Sequence, residues 1–183
     1  MRLSKKFYNR KTLTVARELP GKYLVRRIGR KTIVGMITET EAYCGFRDLA
    51  SHASKGLTPR TKTMFGPAGH AYVYMIYGMY HCLNIVTEKE GYPAAVLIRS
   101  VAINDIQGTV VDGKKNKLLN GPGKVCREFK IDKKLNAVDM CRSGELWIEE
   151  HGGEIKPNQI KKGKRIGIDY AGKWKNKLWR FYI

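Results

Sequence analysis

Apolar and β-branched residues fall in short extended runs separated by glycine-rich and polar breaks, with few stretches that read as helix. The run from Thr12 to Leu19 reads as a short helix with a threonine start, ended by Pro20-Gly21. Tyr23–Arg27 and Thr32–Tyr43 are rich in β-branched residues and predict a hairpin turning at Ile28-Gly29-Arg30-Lys31. Gly45 to Gly69 lacks regular periodicity and reads as loop and turn, with a short helix near Arg47–Ala53. Ala71–Tyr77 and Tyr80–Thr87 predict a second hairpin around Gly78-Met79, and Ala94–Ile103 is a strongly apolar strand. Asn104 to Asn120 is polar and reads as a surface loop. Asn120-Gly121-Pro122-Gly123 opens a helix through Val125, Cys126 and Phe129, since proline is tolerated in a first helical turn. Glu145–Glu150, Arg165–Tyr170 and Leu178–Ile183 read as closing strands. No repeat, low-complexity tract or Pro/Ser-rich linker divides the chain, which predicts one domain over residues 1–183. Strands joined by hairpins and interleaved with short helices predict an α+β domain on a mainly antiparallel sheet, not a doubly wound parallel one.

Composition adds a partner to this outline. Of 183 residues, 43% are apolar and 10% aromatic, enough to bury one sizeable core. No run approaches the roughly 18 apolar residues of a membrane span. The start, Met1-Arg2-Leu3-Ser4-Lys5-Lys6-Phe7, lacks the apolar stretch of a secretory signal, so an intracellular protein is expected: cytoplasm or nucleoid in a bacterium, nucleus in a eukaryote. Cys44, Cys82, Cys126 and Cys141 stand far apart without a C-x-x-C pair, and free buried thiols are expected. The net charge of +19 is unevenly spread. Residues 36–103 hold 6 basic and 5 acidic side chains, while the other 115 hold 29 and 11. A nearly neutral, aromatic-rich middle flanked by basic arms points to a polyanion, nucleic acid before an anionic membrane surface. General surface decoration for solubility is the alternative.

Two clusters could carry chemistry. In Glu39-Thr40-Glu41-Ala42-Tyr43, strand geometry puts Glu39, Glu41 and Tyr43 on one face about 6.5–7 Å apart. Such a group could do acid/base work at a glycosidic bond. The alternative is that one or both glutamates are solvated strand-end charges pairing with Arg26 or Arg27 across the hairpin, as an arbitrary E-x-E usually is. Four of ten tyrosines fall between Tyr72 and Tyr80, with Tyr72 and Tyr74 on one face and Tyr77, Gly78 and Met79 at the hairpin tip. An exposed Tyr-Gly-Met tip could wedge between stacked bases, or the strand could simply pack on the core. His52, His70 and His81 lack zinc spacing, His151 lies in an acidic turn, and no Walker or G-x-G-x-x-G loop is present, so no metal and no cofactor are expected.

With these pieces assembled, the chain resembles the alkyladenine (3-methyladenine) DNA glycosylase family in its compact bacterial form. The resemblance is carried by Glu39-Thr40-Glu41-Ala42-Tyr43, His52, Thr58-Pro59-Arg60, Tyr72-Val73-Tyr74, Tyr77-Gly78-Met79-Tyr80, Asn84-Ile85 and Val96-Leu97-Ile98-Arg99. It continues through Gly121-Pro122, Arg165-Ile166-Gly167-Ile168, Ala171-Gly172 with Trp174, and Arg180-Phe181-Tyr182. It implies a curved, open-barrel-like sheet similar to the C-terminal domain of methionyl-tRNA formyltransferase, with short peripheral helices. It also implies hydrolysis of the N-glycosidic bond of alkylated or deaminated purines (3-methyladenine, 7-methylguanine, hypoxanthine, ethenoadenine) after base flipping. Glu41 matches the base that activates water, and Arg99, with the backbone amide of Ile166, the groups that place it. Tyr43 and His52 match residues on one side of the flipped base, and Tyr74 the one on the other. Asn84 matches the residue that crowds the amino group of guanine, and Tyr77 the side chain that fills the gap in the duplex. A nearby arginine is expected to keep the pKa of Glu41 low. Cys44-Gly45-Phe46-Arg47-Asp48 and His81 differ from the mammalian pattern.

The implied partner is double-stranded DNA containing a damaged purine, met by a monomer. A non-catalytic nucleic-acid-binding domain of the same fold is the alternative, and Glu41 separates the two, because a pure binder has no use for a carboxylate facing a polyanion. A carbohydrate glycosidase is disfavoured by the charge.

Overall fold

The structure, a computed structural model, describes residues 1–103, 117–152 and 155–183. Its centre is a large antiparallel sheet that does not close into a barrel, with a few short helices around it, as an α+β chain requires. The strands are β1 (Tyr23–Ile28), β2 (Lys31–Cys44), β3 (Ala71–Ile76), β4 (Tyr80–Val86), β5 (Ala94–Ile103), β6 (Lys117–Asn120), β7 (Leu146–Glu149), β8 (Lys161–Gly163) and β9 (Arg180–Tyr182). The main path runs β3-β4-β5-β2-β1-β7, with β6 added to β5, β9 to β2 and β8 to β9.

Both hairpins form where the sequence predicts them, β1 with β2 and β3 with β4. The apolar run of β5 is buried along most of its length: β2, β4 and β6 pair along its edges, and α2, α3 and the turn at Lys62–Phe65 pack against it. Beneath the sheet pack three helices, α1 (Lys5–Tyr8), α2 (Thr12–Glu18) and α3 (Pro122–Glu128). In α2, Val15 and Ala16 are fully buried, and the Thr40 hydroxyl on β2 donates to the Ala16 carbonyl at 2.6 Å, tying helix to sheet. Gly121, at φ +120°, turns the chain out of β6 so that Pro122 can begin α3 and place Val125 and Cys126 in the core. Leu24, Ile37, Ile85, Ile98, Phe129 and Met140 are fully buried there, each such side chain stabilising the fold by about 1.5–3 kcal/mol.

Four expectations need correction. Lys117–Asn120 is a strand, because its backbone pairs with Ser100–Ile103; residues 104–116 of the expected loop lie outside the described residues. Arg165–Tyr170 is not a strand: Gly167 has φ +75°, and the segment passes into short helical turns over Asp169–Asn176. The helix expected near Arg47–Ala53 is not formed: that segment is turns ending in a single 3₁₀ turn at His52–Lys55, and a second such turn follows at Lys62–Phe65. Glu39 and Glu41 are not solvated strand-end charges: both are buried, and Arg26 instead faces Glu145. All four cysteines are unbridged, with Cys82 and Cys126 buried. Among the described residues, no helix is long and apolar enough to cross a membrane.

Candidate active site

The site is made where β2 changes partners. The first part of β2, Lys31–Met36, pairs with β1 and Glu39–Glu41 pair with β9, while β5 pairs with β2 from Met36 to Cys44. The β2–β5 register slips twice within four residues, leaving Thr38 on β2 and Arg99 on β5 without a ladder partner. Bulges of this kind re-aim side chains beside functional sites. Here the Arg99 Nε lies 3.2 Å from Glu39 Oε1 and 3.7 Å from Glu41 Oε1, buried and without a hydrogen-bond partner among the described residues. Arg180 on β9 holds Glu39 from the other side at 2.8 Å.

Glu41 is fully buried, yet both its oxygens are bonded. Oε1 accepts the Ile166 amide at 2.9 Å and Oε2 accepts the Tyr43 hydroxyl at 2.8 Å. Burial pushes the carboxyl above its ordinary range, outweighing the opposing pull of Arg99, the Ile166 amide and the Tyr43 hydroxyl; Glu39 adds a smaller upward push. The low pKa expected from a neighbouring arginine is thus overturned by desolvation. The Ile166 amide is spent on the carboxylate itself. Tyr43 is pushed far up by burial and then by the Glu41 charge, so it keeps the proton it donates.

In front of Glu41 lies a cleft of about 560 Å³ whose walls include Tyr43, His52, Tyr74, Asn84, Arg99 and Tyr77. With Glu41, every residue to which the resemblance assigns a site role therefore borders one space, whereas Glu39 does not. Tyr72 and Tyr74 share a strand face, with ring centroids 5.2 Å apart. His52 stands edge-on to Tyr74 (4.6 Å, 78°) and its Nδ1 is 3.1 Å from the Tyr72 hydroxyl, although the resemblance groups it with Tyr43. Burial, then Arg60 and Lys55, lowers its pKa to about 4, so the ring is neutral at pH 7. Asn84 on β4 is buried, and its amide nitrogen donates to the Tyr72 carbonyl at 3.2 Å, which fixes its orientation.

Tyr77 projects from the tip of the β3–β4 hairpin, 85% exposed, with Met79 beside it at 67%. Tyr77 and Gly78 have φ of +50° and +68°, and the Met79 amide donates to the Ile76 carbonyl at 3.2 Å, the signature of a tight I′ turn. Sequence reasoning assigned no role to two contributions, Arg60 on the cleft wall and an ion pair behind it. Arg60 lies 5.2 Å over the Tyr74 ring, and Arg165 with Asp48 forms a fully buried ion pair behind Tyr43. The one signal for the second was an isolated aspartate in a stretch of low charge. Among the described residues, no group of three His, Cys, Asp or Glu side chains could hold a metal ion.

Comparison with known proteins identifies the family of the chain. A family model described as methylpurine-DNA glycosylase matches residues 6–183. A relative from Methanocella arvoryzae, provisionally named a 3-methyladenine DNA glycosylase, is 50% identical, the match covering 98% of this chain and 91% of that one. Relatives with the same provisional name from Legionella pneumophila (strain Corby) and Clostridium acetobutylicum are 50% and 44% identical; each match covers all of this chain and 94% of the relative. With nearly its whole length accounted for in this way, the chain belongs to the methylpurine-DNA glycosylase family, and it is a DNA glycosylase.

Proposed function

We propose that the protein removes alkylated or deaminated purines from duplex DNA, by flipping the damaged nucleotide into the aromatic cleft and hydrolysing its N-glycosidic bond with water activated by Glu41. The observation that carries this reading is a buried, fully hydrogen-bonded carboxylate at the back of an aromatic cleft whose rim bears an exposed tyrosine. Attack on C1′ inside a duplex requires extrusion of the nucleotide, at a cost of a few kcal/mol that is least where damage has weakened pairing. Stacking on Tyr43 and Tyr74 offsets this by about 1–3 kcal/mol per base. Tyr77 fills the gap left in the duplex.

In the chemical step Glu41 takes a proton from water as the water oxygen bonds to C1′. The C1′–N bond breaks and its electron pair leaves with the purine. A cationic alkylated purine departs neutral; a neutral one such as hypoxanthine must gain a proton. The product is an intact abasic site. A carboxylate with a raised pKa is a stronger base once ionised, which suits the role. Arg99, on the bulge beside Glu41, helps hold the water. Asn84, locked to the Tyr72 carbonyl, crowds the amino group of guanine. The partner is double-stranded DNA, met by a monomer inside the cell, and the reaction needs neither metal nor cofactor.

The test is single-turnover base release from a duplex with one hypoxanthine, and from methylated DNA, by wild type and Glu41→Gln. Release by wild type alone is expected. Equal release by both would remove Glu41 as the base. Tight binding without release by either would leave a binding domain of the same fold.

A further inference from the structure

We infer that Arg165 is a positioning residue for the hydrolysis, acting through both oxygens of Glu41 by holding the two groups that hydrogen-bond them. Its guanidinium makes a bidentate pair with Asp48, Nη1 to Oδ2 at 2.6 Å and Nη2 to Oδ1 at 2.8 Å, with both side chains wholly buried. Nη1 also donates to the Ala42 carbonyl at 2.8 Å, and Nη2 reaches the Trp174 carbonyl at 3.5 Å. The Cζ atom lies 4.8 Å from the Tyr43 ring centroid and 5.0 Å from that of Trp179. Asp48 in turn accepts the amides of Cys44 and Ala50.

One ion pair therefore ties together three stretches of chain that are far apart in sequence. They are the end of β2 with Tyr43, the turn leading to His52, and the loop that carries Ile166. The Cα of Arg165 is one end of the planar peptide unit that carries the Ile166 amide, so anchoring its side chain anchors that end of the plane and narrows the directions in which the N–H can point. Its contact with the Tyr43 ring fixes the other donor. Glu41 Oε1 depends on the first and Oε2 on the second.

A buried ion pair is weak grounds for stability, since two well-packed apolar side chains often serve as well. What apolar packing cannot reproduce is a planar fork that fixes three backbone segments by direction as well as distance. The role assigned to Arg165 rests on the reading of Glu41 as the base. The charged and titratable groups around that carboxylate are Glu39 and Tyr43 on β2, Arg99 on β5, Cys82 on β4, Arg180 on β9 through Glu39, and Arg165 itself. Loosening the two hydrogen bonds removes interactions that favour the charged form, so the pH at which Glu41 ionises moves up.

The experiment compares wild type, Glu41→Gln, and the double variant Asp48→Asn with Arg165→Met, which leaves no unpaired buried charge. Single-turnover release of hypoxanthine from a duplex is followed across the acidic limb of the pH profile, with DNA affinity measured alongside. Expected for the double variant is a limb displaced upward by about one pH unit, giving about tenfold slower release at pH values below both limbs, with affinity within about twofold of wild type. Mere loosening of the fold lowers the rate at every pH without moving the limb. An unmoved limb in a folded double variant overturns the role. Should that variant not fold, Arg165→Lys, which keeps the charge and loses the fork, carries the same test: a smaller upward displacement supports the role and an unmoved limb overturns it. Release by Glu41→Gln equal to wild type would instead overturn the reading of Glu41, whatever Arg165 does.

Discussion

Tyr77 is held in a conformation its own side chain disfavours. At φ +50° the Cβ of an L-residue crowds the following carbonyl, at a cost of about 1–2 kcal/mol that asparagine largely avoids by bonding locally. The ring recovers little of this in the free protein, because it is 85% exposed. Tyr77→Asn is therefore expected to stabilise the protein by about 1 kcal/mol, which for a chain of this size raises Tm by about 2–4 °C. Tyr77→Ala retains the Cβ and with it the strain, so it should melt at or below the wild-type temperature. Both variants lose the wedge. If the ring contributes about 1–3 kcal/mol by stacking in the gap, each should lower single-turnover excision by about 5- to 150-fold. Thermal unfolding by circular dichroism and excision of hypoxanthine, run on all three proteins, separate the two effects. Equal melting of the asparagine and alanine variants would refute the strain; wild-type excision by either would refute the wedge.

Other consequences can be checked as directly. Contacts with 5–8 phosphates should make log K fall with log salt at a slope of about −5 to −7, and a flat dependence in a filter-binding titration would remove the DNA assignment. Asn84→Ser should release guanine from undamaged DNA faster than wild type does, and no gain would undo its exclusion role. The pKa of Glu41 lies above its unfolded value, so folding stability falls as pH rises past the ordinary carboxylate range. Glu41→Gln should thus melt higher than wild type at neutral pH, an advantage that fades on acidification; equal Tm at neutral pH would contradict this. Thr40→Val removes the buried bond to the Ala16 carbonyl and should cost about 1–3 kcal/mol in a urea melt. A loss near zero would mean that α2 is held by apolar contact alone.

What could be read from the sequence was what local pattern decides. The hairpin turns at Gly29 and Gly78 and the apolar run of β5 lie where glycine placement and β-branched composition put them. The residues at the cleft were legible through resemblance, and the strand faces explain why Tyr72 meets Tyr74. Features set by distant contacts were not legible. Arg99 is re-aimed by a register slip against β2, which nothing in Leu97-Ile98-Arg99-Ser100 announces. Arg165-Ile166-Gly167-Ile168 alternates like a strand, yet a buried aspartate 117 residues away claims the arginine, and Gly167 turns the chain. Lys117–Asn120 becomes a strand because β5 offers it an open edge. The upward push on Glu41 follows from how completely the fold covers it, a quantity no short motif contains.

The change of partner along β2 also has a consequence for the newborn protein. Glu39 is clasped by Arg180, 141 residues further on, and Glu41 is bonded by an amide 125 residues further on. At ribosomal speeds of about 5–20 residues per second, about 6–28 s pass between synthesis of the carboxylates and that of their clasps. Within that interval β2 can pair with β1, and later with β5 once Ala94–Ile103 has been made, while Glu39 and Glu41 still lack these distant partners. On the reading of Tyr77 as the wedge, the hairpin that would meet DNA is made well before β9, and the surroundings of the two glutamates are complete only once that strand docks.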